Sequence, residues 1–134
     1  MGALVPASAA AKSPGKRMVK AANEWRSAHG LAPLRSSKRL RRSAKGRARR
    51  MIRHDFFAHP SRLYVPRFDR VGEVLELHGG RRARVRRTLR KWAASPGHRA
   101  VLLSSSFRRI GAGRASGWYQ GQRVTIWIIR VGSR

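Results

Sequence analysis

The sequence predicts one α+β domain in which a small, mostly antiparallel sheet is covered by helices on both faces. Scale comes first: 134 residues, 41% of them hydrophobic, suffice for one core but not for two. Next comes order, because apolar residues recur at three- and four-residue steps early in the chain and strand-like runs follow around two further helical stretches. Finally, Val124 to Ile129 is apolar on both faces, as a central strand must be. There is no internal repeat.

Residues 1–13 are set apart from the domain, which is expected over 14–134. The run Ala3 to Ala11 has small residues spaced as at the end of a secretory signal, without the charged and long apolar parts that precede one. It reads either as the remnant of such a signal or as a flexible alanine-rich tail. Ser13-Pro14 supplies an N-cap and a first-turn proline, so a helix starts there. Met18, Ala21 or Ala22, Trp25 and Ala28 mark its inward face, and Gly30 ends it.

An extended Leu31 to Leu34 leads to Ser36 or Ser37, either of which can cap a second helix reaching about His54. Leu40, Ala44, Ala48, Met51 and Ile52 form its buried stripe. Its other face is almost all cationic, and like charges four residues apart weaken a helix, so tertiary packing must hold it. Pro60 to Arg70 is expected as a loop bringing Tyr64 and Phe68 to the body, followed by a strand over Val71 to Leu77. After His78-Gly79-Gly80, a third helix is predicted over Arg82 to Ala94, with Val85, Leu89, Trp92 and Ala93 inward. Ser95-Pro96-Gly97-His98 restarts a short helix to about Leu103, with Ser95 as its cap and His98 in its first turn. Two strands, Phe107 to Arg114 and Gln122 to Val131, close the chain as a hairpin whose loop holds Gly117 and Gly121.

Several function classes are excluded. No apolar run approaches the roughly 18 residues that a membrane span requires. Cysteine is absent, which removes disulfides, thiolate metal sites and cysteine nucleophiles. The formal charge of +27 draws anionic partners: cell-envelope polymers, lipid head groups, or nucleic acid without sequence preference. The 26 arginines against 6 lysines also fit a compositional origin, and the basic residues are spread along the chain without interleaved aromatics.

With five histidines and five acids, any catalytic or metal site is drawn from Asp55, His59, Asp69, Glu73, Glu76, His78 and His98. A histidine in a first helical turn, as expected for His98, tends to stay neutral, the form that binds metal or accepts a proton. Two imidazoles and a carboxylate, His59, His98 and Glu73, would make a His₂Glu set with an open position, the composition of a catalytic zinc site. Each residue alone is better explained structurally, as a cap or packing group.

The segments Asn23-Glu24-Trp25-Arg26, Gly30 to Leu34, Asp55-Phe56-Phe57-Ala58-His59, Gly72-Glu73, Trp92 to Leu103 and Phe107 to Gly113, with Trp127, occur in an order that resembles the bacterial CAP domain, also called the SCP-like extracellular domain. The Trp-Ala-Ala-Ser-Pro-Gly-His-Arg run is the most specific piece. The resemblance implies a three-layer α-β-α sandwich and a cleft tetrad of two histidines and two acids able to bind a divalent metal. His59, Glu73 and His98 fall on three of those positions. The fourth falls where this chain has only Arg84, Arg86, Arg87 and Arg90, and arginines near the histidines would repel a cation.

The resulting expectation is a secreted or envelope-associated protein whose His/Glu cleft binds a ligand, with Zn²⁺ as its one candidate cofactor. The alternatives are a basic module for anionic polymers and a metal-assisted hydrolase using Glu73 or a histidine as general base. Whether the protein is an enzyme is left open at this level, and His59, Glu73 and His98 are the catalytic candidates.

Overall fold

The computed structural model describes residues 12–134, so the reading of 1–11 as tail or signal remnant lies outside the described residues. Helix α1 spans Pro14–Ala28, strand β1 Arg35–Ser36, helix α2 Lys38–His54 and strand β2 Arg70–Gly79. Helix α3 spans Val85–Ala93, helix α4 Pro96–Leu102, strand β3 Arg109–Tyr119 and strand β4 Gln122–Ser133. The four strands form one sheet in the order β1-β3-β4-β2, parallel only between β1 and β3. This is the predicted α+β sandwich.

Central β4 explains its own sequence, because side chains alternate across a strand. Val124, Ile126 and Ile128 pack with Leu75 against Ala44, Ala48 and Met51 of α2. Trp127, Ile129 and Val131 face the opposite layer, where Met18 and Ala22 of α1, Val85 and Trp92 of α3 and Leu102 of α4 complete a second core. The cationic α2, weak by itself, is held by this apolar stripe and by close contact with β3. A Cβ on Gly111 would lie 2.6 Å from the Arg41 Cα, and one on Gly113 2.6 Å from the Lys45 Cα. Only glycine lets the helix backbone come that near.

Local signals set several boundaries as expected. Ser13 caps α1 by accepting from the Lys16 amide, and Ser37 caps α2 by accepting from the Leu40 amide. Other expectations are corrected. The two-residue β1 was missed because its pairing with Arg109 and Ile110 is set by distant chain. Helix α3 begins at Val85 rather than Arg82, since the Ala83 carbonyl is drawn out to the Trp127 indole N–H at 2.6 Å and Arg84 is left-handed at φ 49°. Gly117 lies inside β3, and the hairpin turn is Gln120-Gly121, both at positive φ as a primed two-residue turn requires. Tyr64 points outward at 59% exposure, while its neighbour Val65 is buried at 1%. Trp25 is half-buried, and Arg26 goes inward in its place.

Arg26 is a structural clamp. Its Nε donates to the Ala32 carbonyl at 2.9 Å, and one terminal nitrogen donates to the carbonyls of Leu102 at 2.9 Å and Ser104 at 2.8 Å. The chain after α1 and the end of α4 are thereby tied together. Burial, and then the field of Arg108, lowers its pKa from the usual arginine value. Asn23 pairs through its amide with both backbone groups of Leu34. Much of the Asn-Glu-Trp-Arg segment therefore fastens loops.

Candidate functional site

Glu73 sits on the α2 face of β2, its side chain only 1% exposed. A carboxylate so enclosed requires donors for both oxygens. Oε1 meets the Nδ1 of His59 at 2.8 Å, and Oε2 accepts from the Nε of Arg130 at 2.7 Å. Arg130 continues the chain by donating to the Ser43 hydroxyl on α2. Four side chains from four segments thus form one connected polar line.

The geometry assigns different work to each member. The Nδ1 of His59 faces Glu73, which in the neutral ring leaves Nε2 as the acceptor, and its side chain is 57% exposed. Glu73 orients that ring and is itself closed to solvent. Arg47, one turn after Ser43, donates to the Ala58 carbonyl at 2.9 Å and lies 4.9 Å over the Phe56 ring, which ties the His59 loop to α2. Burial lowers the Arg47 pKa; the Glu73 carboxylate opposes this, and Arg130 and Arg50 add to it.

Of the three residues singled out by sequence, the structure joins His59 with Glu73 and does not join His98 to them. Helix α4 packs through Val101 on Gly72, the face of β2 opposite that carrying Glu73, and the His98 Nδ1 lies 3.0 Å from the Ser95 hydroxyl. That bond also corrects the expected role of Ser95: it occupies the N-cap position of α4, but its side chain makes no capping bond to the backbone. Among the described residues no three His, Cys, Asp or Glu side chains gather in a group that could hold a metal. One Glu73 oxygen is already on a histidine and the other on an arginine. The residues present do not fit the implied zinc centre as they stand.

Three of the remaining candidates are committed elsewhere, and the fourth, Asp69, is exposed and holds Ser133 through its backbone N–H. Asp55 accepts from the Gln120 amide at the hairpin turn, Glu76 pairs with Lys91, and buried His78 lies against the Gly79 and Ala83 carbonyls. The cation that meets Glu73 comes from β4, not from Arg84, Arg86, Arg87 or Arg90, all of which are exposed. A sequence signal for Arg130 existed: an arginine inside an otherwise apolar central strand needs a buried counterion. Ser43 and Arg47 carried no comparable signal among so many cationic neighbours.

Likeness to known proteins agrees with this fold and with the ordered segments. The model of the CAP family, described as the cysteine-rich secretory protein family, matches residues 19–130. The chain belongs to the CAP family. The Bacillus subtilis protein YkwD is 30% identical over 105 residues, which are 73% of this chain and 41% of YkwD. This CAP domain thus spans less than half of that relative. Among solved structures, an outer surface protein of Borrelia burgdorferi superposes with a TM-score of 0.71 at 20% identity, covering 89% of this chain and 91% of that one. An extracellular SCP-domain protein of Bacillus anthracis gives 0.68 at 21% identity, covering 100% of this chain and 45% of that one. These two similarities establish the fold.

Proposed function

We propose that this CAP domain is a secreted or cell-envelope binding module that recognises its ligand at the Glu73 centre, with His59 Nε2 as the presented acceptor. The carrying observation is the double engagement of Glu73: one oxygen fixes the His59 ring at 2.8 Å and the other is held by Arg130 at 2.7 Å. An exposed imidazole in a fixed tautomer, backed by an enclosed ion pair, is a preorganised contact for a ligand hydroxyl or amide. The names of the similar proteins, an extracellular protein and an outer surface protein, support the location. Among the described residues no helix is long and apolar enough to cross a membrane.

Binding is favoured over hydrolysis because Glu73 is closed to water and cannot itself touch substrate as a base, and because exposed His59 has, among the described residues, Glu73 as its one hydrogen-bond partner and so no hydroxyl nucleophile beside it. A metal role needs Glu73 released from Arg130 and a third ligand brought in. The reading is tested by nuclear magnetic resonance titration of labelled protein with peptidoglycan fragments, envelope polymers and lipid dispersions. Shifts centred on Phe56 to Pro60 that disappear in His59→Ala support it. Shifts spread over the whole cationic surface, or unchanged in that variant, overturn it.

A further inference from the structure

Beside the Glu73 centre lies a hollow of about 320 Å³, near the lower end of the roughly 300–1,000 Å³ typical of small-molecule sites. Its wall carries five arginines, Arg42, Arg47, Arg50, Arg62 and Arg130, with Tyr64 between them. Among the described residues, only Arg130 of these five is paired with a carboxylate, that of Glu73. Five positive charges against one negative leave a local excess of four.

Three of the five guanidiniums are held in place without an occupant. Arg130 is fixed by Glu73 and Ser43, Arg47 by the Phe56 ring and the Ala58 carbonyl, and Arg62 stands 5.5 Å over the Tyr64 ring. Burial, and then the nearby Arg130 and Arg50, lower the Arg47 pKa despite Glu73, so the cations around this hollow repel one another. That repulsion is a standing cost that an anion in the hollow would relieve. Guanidinium forks match the paired oxygens of a phosphate, and several forks around one hollow suit a group with two or more negative charges.

We infer that this hollow is a binding site for a phosphate-ester group, free or carried by a lipid head group. The inference rests on the reading that ligand meets the protein at the Glu73 centre, and it names the chemical class of that ligand. Pro60, next to His59, forms part of the same wall, so an anion seated among the arginines places the rest of its molecule near the imidazole.

The test separates this hollow from the overall charge. Inorganic pyrophosphate is titrated calorimetrically at fixed ionic strength into the wild type, into Arg42→Gln/Arg50→Gln/Arg62→Gln, and into Arg81→Gln/Arg82→Gln/Arg86→Gln. All six positions are exposed, so both triple variants should fold. The first triple should lose about tenfold or more in affinity, and the second, with the same charge removed, should stay within about twofold. Equal losses, or no binding by the wild type, would overturn the inference.

Vesicles of phosphatidic acid in phosphatidylcholine distinguish the sources: retention that is lost only in the first triple assigns a lipid head group, and pyrophosphate binding without such retention assigns a free phosphate ester. The two readings fail separately. If His59→Ala leaves the ligand-induced shifts intact while the first triple loses pyrophosphate, the hollow stands and the recognition role of His59 falls. The converse sinks the hollow alone.

Discussion

Glu73 and Arg130 are direct cross-strand partners in the antiparallel pairing of β2 with β4, 57 residues apart in sequence. Their ion pair is 1% and 8% exposed at the two side chains, so each charge depends on the other. Removing one partner of such a pair costs about 3–5 kcal/mol, whereas replacing both with apolar groups of similar volume is often close to neutral. Glu73→Leu and Arg130→Met are each expected to destabilise by about that amount in chemical denaturation. The Glu73→Leu/Arg130→Met double variant should lose much less than the sum of the two single losses. Strict additivity would show that the pair is not coupled.

The close approach of α2 to β3 makes opposite predictions at two glycines. Gly113→Ala must push the helix backbone away and should cost about 3 kcal/mol, at the upper end for overpacking. Gly46→Ala, within α2 and with nothing within 4 Å of a new Cβ, should stabilise by about 0.5–1 kcal/mol. Thermal unfolding of the two variants checks both signs.

Arg26 should matter more than its place on an amphipathic helix suggests. Arg26→Ala leaves the carbonyls of Ala32, Leu102 and Ser104 without their donor, at about 1–3 kcal/mol for each group that water cannot reach. Arg26→Lys should recover only part of the loss, because an ammonium cannot span three carbonyls in the plane of a guanidinium. Full recovery by lysine in urea denaturation would refute the clamp.

The two serine caps should differ. Ser37→Ala removes a hydroxyl that accepts from the Leu40 amide and should cost about 1 kcal/mol. Ser95→Ala removes a bond to His98 and no backbone cap, so it should cost less in stability while shifting the His98 ring resonances. Equal stability losses without those shifts would restore Ser95 to a capping role.

Zinc titration addresses the ligand set implied by resemblance. Because Glu73 is divided between His59 and Arg130, and His98 is on the other face, wild type and His59→Ala/His98→Ala are expected to give the same calorimetric response. A stoichiometric site present only in the wild type would mean that the three residues rearrange around metal.

Much of the fold was legible because it follows from local chemistry. Ser13, Ser37 and Pro96 mark helix starts through caps and a fixed φ that act within one turn, and the two-faced apolar run of β4 could only be central. His59 and Glu73 were also reachable from sequence, since the ordered segments that resemble the CAP domain contain both. Tertiary structure alone decided which residues meet. The side of the sheet on which α4 packs separates His98 from Glu73, and strand register puts Arg130 opposite that carboxylate. The glycine approach lays Ser43 and Arg47 of α2 over the same place. Helix caps and periodicities are set within a few residues, whereas the partner of a buried charge is set by pairings that span the chain, and no local pattern encodes them.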